Sequence, residues 1–299
     1  MKSISLHPNP IFERENWQSL NGEWDFGFSQ KAVINYKFLS EQNILDFYRQ
    51  SVCTHKINVP FCIESVLSGI GYTDFLNRVW YKKRIHITPN GNRVFLHIGA
   101  ADYKTTVILN GKLAGSHTGG YTPMCFDITN FAVEGENELY ILCEDNTRDG
   151  LIASGKQSNR KKSYACSYTR TTGIWQSVYI EYTPNNYVKS FKLTPSLKHG
   201  NITVELDLCG THSLEINAYL DEKNVGAKCI EEASGFVIVQ IPISDIKAWE
   251  LENAVLYDLE IKFGGDIVSS YFGLRDVALD GFKFTLNGKS VFQRTVRNH

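Results

Sequence analysis

Tyr168–Tyr182 reads YTRTTGIWQSVYIEY, a polar, arginine-bearing loop that enters an alternating strand through one glycine, Gly173. From Val178 the side chains divide: Val178, Ile180 and Tyr182 fall on one face, Tyr179 and Glu181 on the other. A period of two is the signature of a half-buried β-strand. Working outward, the same pattern recurs at Val94–Ile98, Val107–Leu109 and Leu139–Leu142. Beyond Pro184-Asn185-Asn186 it is cleaner, in Ile202–Leu208, Leu214–Leu220, Phe236–Ile241 and Tyr257–Phe263. Each of these four is read with an apolar face and a polar one, which predicts antiparallel sheets with one wet side. Asn110-Gly111 and Asn287-Gly288 lie between apolar strand ends, and both residue types tolerate positive φ, so each pair predicts a type I′ hairpin. The stretch Ile34–Gln50 is the least β-like; its apolar residues Ile34, Phe38, Ile44, Leu45 and Tyr48 suit a helix.

Composition narrows the function classes. The 299 residues suffice for two ordinary domains, and 42% hydrophobic residues can bury a sizeable core. A net charge of −1 supplies no basic surface, so neither a nucleic-acid nor a membrane partner is expected. The N-terminus has no apolar leader, and no run approaches the roughly 18 apolar residues of a membrane span. The seven cysteines form no C-x-x-C pair and are read as reduced thiols of a cytoplasmic protein, Cys209 and Cys229 included. Asn201-Ile202-Thr203 is then a glycosylation sequon in spelling only. The eight histidines show no ligand spacing, so neither a metal nor another cofactor is expected.

Four motifs in order spell one family. They are Asn21-Gly22-Glu23-Trp24-Asp25-Phe26; Val59-Pro60 with Trp80-Tyr81-Lys82-Lys83; Val107–Thr129, which holds Asn110-Gly111, Gly119-Gly120-Tyr121-Thr122-Pro123 and Asp127-Ile128-Thr129; and Arg170–Gln176. Together they resemble glycoside hydrolase family 2, the β-galactosidases, β-glucuronidases and β-mannosidases, and Phe272-Gly273-Leu274-Arg275 continues the match. The resemblance implies an all-β chain with a jelly-roll sugar-binding-like domain at 1–184, an immunoglobulin-like sandwich at 185–275, and a hairpin at 276–299 leading toward a barrel. It also implies retaining hydrolysis by two barrel glutamates held about 5 Å apart. A barrel needs roughly 250 residues, far more than follow Arg275, so neither glutamate is assigned. The function expected of these residues is non-catalytic, with weak binding of β-linked sugars. The alternatives are part of an active β-galactosidase-like enzyme whose barrel lies outside the chain, or a structural module in a homo-oligomer. At the end, Arg294-Thr295-Val296 stands where relatives read arginine-glycine-valine. A lone hairpin is marginal in water, so the last segment needs folded support or a partner.

Asn137-Glu138 spells the asparagine-glutamate pair of the family's acid/base residue. Its context, Glu134-Gly135-Glu136, predicts a solvated turn feeding a strand, not the pocket that a general acid requires. Two loops are candidates for carbohydrate binding. In Gly69–Phe75, Asp74 can accept sugar hydroxyls while Tyr72 or Phe75 stacks on a ring; the other reading is a plain turn. In Gly155–Arg170, Lys156 and Gln157 can donate to hydroxyls or to a uronic carboxylate, with Tyr168 and Arg170 closing the loop. Arg160-Lys161-Lys162 also reads as a solvated run, and Arg170 as an anchor for its own loop. Some β-galactosidases of the family place a sugar- and sodium-binding aspartate six residues before the motif glycine. Ser167 occupies that position here, so neither contact is carried over. Ile174, Trp175, Trp24, Trp80 and Trp249 are expected in cores, and His117 in a structural role.

Overall fold

The computed structural model describes residues 6–29, 32–33 and 36–293. Ile34 and the Arg294–His299 segment lie outside them. Packing divides the chain into two units. One is Asn16–Tyr182; the other joins residues 6–15 to residues 183–293. Residues 6–15, which the sequence places at the head of the first sandwich, thus pack with the second unit. Glu13 forms a bridge with Ser269.

Among the described residues, the first unit has a two-stranded antiparallel sheet, Ala101–Asp102 with Gly173–Ile174, and two large antiparallel ones. The larger orders His55–Val59, Gly22–Phe28, Arg78–Ile87, Gly135–Glu144, Lys104–Leu109 and Lys112–Thr118 side by side. The smaller orders Trp17–Ser19, Val178–Thr183, Arg93–Ile98 and Met124–Asp127. Alternation aims one face of each inward, and Trp24, Phe26, Tyr81, Ile141, Leu96 and Ile180 meet in one core. The outer face of the larger sheet would expose Trp80, Ile108 and Tyr140. The helix Glu41–Gln50 covers them with Ile44, Leu45, Phe47 and Tyr48. It begins at Ser40, whose hydroxyl accepts from the Asn43 amide, an N-cap.

Asn110 and Gly111 have φ of 51° and 76°, as do Asn287 (51°) and Gly288 (76°), the positive pair of a type I′ turn. Asn137 and Glu138 sit in the strand Gly135–Glu144, not in a turn. Asn137 is buried: its amide donates to the Val133 and Gly135 carbonyls, and its oxygen accepts from Asn110. Glu138 pairs with Lys82 at 2.7 Å and accepts from Tyr48. Burial works to raise its pKa, but these partners prevail and hold it below the usual carboxylate range, the reverse of a general acid.

In the second unit, Ile202–Leu208 and Leu214–Leu220 are halves of one 20-residue strand, Asn201–Leu220. It bends between Leu208 and Thr211, where its pairing with Lys223–Pro242 shifts register. The first half pairs with Tyr187–Ser196 and the second with Tyr257–Phe263, which in turn pairs with Asp266–Phe272. Val204, Leu206, Ile216, Leu259, Ile261 and Val268 share the core. Arg14 enters it, donating from Nε to Asp266 Oδ1 at 2.8 Å and from Nη2 to Oδ2 at 2.9 Å. Phe236–Ile241 departs from the expected apolar and polar faces. Val239 and Ile241 point inward, but Phe236 and Ile238 are 66% and 62% exposed. The final segment forms Val277–Asp280, Lys283–Leu286 and Lys289–Ser290. It finds support within this unit: Asp276 accepts from Ser196 and the Lys198 amide, and Asn287 donates to the Trp249 carbonyl.

Candidate functional site

The residues singled out in the two loops converge at one end of the first unit. Gly173 makes the junction. Its φ of +80° suits glycine, and a Cβ there would strike Tyr81 and Val79. The next amide, of Ile174, donates to the Tyr81 hydroxyl at 3.0 Å, and Ile174 fills the core. The loop before Gly173 is thereby fixed to the sandwich.

Phe75 lies between two guanidinium groups, with Arg170 Cζ 4.3 Å and Arg148 Cζ 4.4 Å from its ring centre. Arg170 also donates to the carbonyls of Ser158, Arg160 and Thr73. Its guanidinium ties the two loops to each other and is spent on backbone, which leaves it buried beneath the surface. Asp74 meets Lys161 at 3.0 Å; the lysine and the Phe75 amide hold its carboxyl below the usual range. Tyr72 turns toward the core and packs on Phe28 at 5.1 Å, so its ring is no open platform.

Gln157 is the hinge of the second loop. Its Nε2 donates to Asp102 Oδ2 at 2.5 Å, and its Oε1 accepts from the Thr171 amide at 2.7 Å. The Ser158 amide donates to the Tyr168 carbonyl and the Tyr168 amide to the Lys156 carbonyl, so these segments run as a short parallel bridge. Tyr168 stands 50% exposed. Ser167 closes a turn with Tyr164.

Beneath lie carboxylates that sequence reading missed. Asp102, Asp145 and Glu64 are all buried. Burial pushes Asp102 and Glu64 each up to about 6, and lifts Asp145 well above its ordinary value with help from the charge of Asp102. Glu64 Oε2 accepts from the Thr172 amide at 3.1 Å. Two aromatic residues complete the rim. Trp175, expected in the core, is only half-buried; its indole donates to the Gly120 carbonyl at 2.8 Å and meets Tyr121 edge-on at 5.8 Å. Its neighbour Ile174 takes the inward position, and strand alternation turns Trp175 outward. Tyr121 is 57% exposed. Glycines 119 and 120, next to Tyr121, were the one sequence signal for this corner: Gly120 lies so close to Asp102 that a Cβ would overlap its carboxylate.

Elsewhere, Trp24 and Trp80 are buried as expected. Trp249 is half-exposed, with Arg275 Cζ 4.9 Å from its ring centre. His117 bonds to Thr122 Oγ1 at 2.9 Å. Among the described residues, no His, Cys, Asp and Glu grouping is arranged to hold a metal, and no helix is long and apolar enough to cross a membrane.

Two β-sandwich units, with a polar and aromatic loop cluster at one end of the first, define an all-β class of protein. Residues 72–179 match the family described as glycosyl hydrolase 2 galactose-binding domain-like, and residues 186–275 match glycosyl hydrolases family 2. The chain belongs to glycoside hydrolase family 2, of which it carries these two domains. It is 24% identical to a β-glucuronidase of Paenibacillus borealis over 81% of this chain and 43% of the relative. A putative β-glucuronidase of Formosa agariphila is 26% identical over 100% of this chain and 36% of its own length. The solved β-glucuronidase of Ruminococcus gnavus in complex with D-glucuronic acid superposes with a TM-score of 0.70 at 21% identity, covering 94% of this chain and 50% of that one. The chain thus spans half or less of the length of these relatives, and no (β/α)8 barrel is found among its described residues.

Proposed function

We propose that this chain is a non-catalytic part of a family 2 glycoside hydrolase that presents the loop from Gly155 to Thr172 to a β-linked sugar. One observation carries the reading. Gln157, pinned between Asp102 and Thr171, lies beside the exposed rings of Tyr121 and Tyr168 and the half-exposed Trp175. Rings that can stack on a pyranose, next to a fixed amide, make a fitting sugar surface. Lys156 and Gln157 supply the donors, Tyr168 a ring. Phe75, Asp74 and Arg170 shape the loops behind them. Relatives named as β-glucuronidases and β-galactosidases support a glucuronide or galactoside as ligand. Exposed thiols at Cys166 and Cys229, held in no disulfide, fit a reducing, cytoplasmic setting.

The test is NMR titration of the chain with methyl β-glucuronide and methyl β-galactoside. Millimolar binding that shifts Trp175 and Tyr168 resonances, and that Gln157→Ala weakens several-fold, is the expected result. A flat titration to tens of millimolar would overturn it and favour a purely structural module. In the same preparation, no nitrophenyl β-glucuronide is expected to be hydrolysed. Turnover by the chain alone would instead favour the enzymatic alternative.

A further inference from the structure

Sheet edges are ordinarily protected against pairing with another chain by charge, by proline or by a bulge. The second unit follows this rule along one edge and breaks it along another only over Phe236–Ile241, between the bulge at Ser234 and Gly235 and the proline at 242. The edge strand Tyr187–Ser196 carries Lys189, Lys192 and Pro195. Lys223–Pro242 pairs only with Asn201–Leu220, so its far side is also an edge. Its first half bears Lys223, Lys228, Glu231 and Glu232. From Ala233 to Ser244 there is no charged residue, and proline appears only at 242. Among the described residues, no turn or loop backbone bond reaches Ser234–Ile241. Within this uncharged edge Phe236 and Ile238 are 66% and 62% exposed on the face that should be wet.

The segment also fits its own reverse. About Ile238 the order is Phe-Val-Ile-Val-Gln, so a two-fold axis through Ile238 sets Ile238 against its copy, Val237 against Val239, and Phe236 against Gln240. The inward row, Val237 and Val239, would continue as valine against valine. On the outer face, Ile238 and Phe236 have Glu205 and Asp207 as register partners on the next strand. Those carboxylates are already neutralised, Glu205 by Lys192 at 2.7 Å and Asp207 by Lys189 at 3.6 Å. A second copy would therefore meet an apolar strip bordered by paired charge, with no like-charge repulsion across the axis.

We infer that Phe236–Ile241 is an interaction edge, and that its partner is the same strand of a second copy, paired antiparallel about Ile238 into a continuous sheet. Sedimentation velocity on the full chain at tens of micromolar is expected to give twice the mass of one chain. Ile238→Lys places two ammonium groups against each other on the axis. It is expected to give folded single chains with an unchanged circular dichroism spectrum, whereas Leu279→Lys on the exposed terminal hairpin keeps the dimer. Ile238→Cys reads the register without relying on the lysine variant: facing residues of paired strands lie within disulfide reach. Mild oxidation should then link two chains well above the background set by the native exposed thiols. A single-chain mass for the wild type at 100 μM would overturn the proposal. So would a dimer that survives Ile238→Lys, or an Ile238→Cys chain that cross-links no more than wild type.

Discussion

Asp102 receives its hydrogen bond from one side-chain amide, that of Gln157, while Gly120 presses on it from the other side. This closeness makes Gly120 irreplaceable in a way its backbone does not require. Gly120→Ala must displace the carboxylate or the strand, an overpacking cost of about 1–3 kcal/mol; urea unfolding should show a lowered midpoint without a changed slope. The same burial sets a pH dependence. Asp102 and Glu64 keep a proton up to about pH 6 in the folded state, whereas unfolded carboxyls release theirs near 4. The folded chain binds more protons between about pH 4 and 6, so stability rises as pH falls through 6 and is lost as pH climbs past it. Each group contributes on the order of 2 kcal/mol. The urea midpoint is expected to be higher at pH 5 than at 7.5, and Asp102→Asn should flatten part of that difference, since Glu64 and Asp145 share it. A midpoint that falls on acidification would refute the assignment. None of this was visible in the sequence, where Asp102 sits in an unremarkable Ala-Ala-Asp-Tyr run and its burial depends on a glycine 18 positions away.

Strands and turns were far more legible than sites. Alternation found the strands because burying one face of a sheet imposes a period of two on local sequence, and the Asn-Gly pairs found their hairpins because positive φ selects those residues. Alternation says nothing of continuity, however, and two predicted strands proved to be one bent strand. Nor does it say which outward residue is covered: Trp80 is hidden by the helix, while Trp175 is left at a rim. Arg14 shows the same limit at long range. It lies 252 positions from Asp266 and ties the N-terminal segment into the second unit through a bidentate pair, with Val188 bonded to both partners. Arg14→Ala would leave Asp266 charged and buried, at a cost of about 3–5 kcal/mol. Chemical unfolding should show that loss, and Lys at 14 should restore only part of it, since a single ammonium cannot match the fork.

At the scale of the whole molecule, periodicity, turn chemistry and four ordered motifs by themselves determined an all-β chain of family 2 type. These are local properties, written in runs of a few residues, and a short window holds enough physical constraint to reveal them. The folded arrangement alone sets which side chains of two distant loops share a surface, which carboxylates are stripped of water beneath them, and which strand edge is left uncharged and open. Each of those depends on burial and on partners far away in sequence. A residue's solvent, and with it its charge, its pKa and its freedom to bind, is set by the neighbours that the completed fold brings to it.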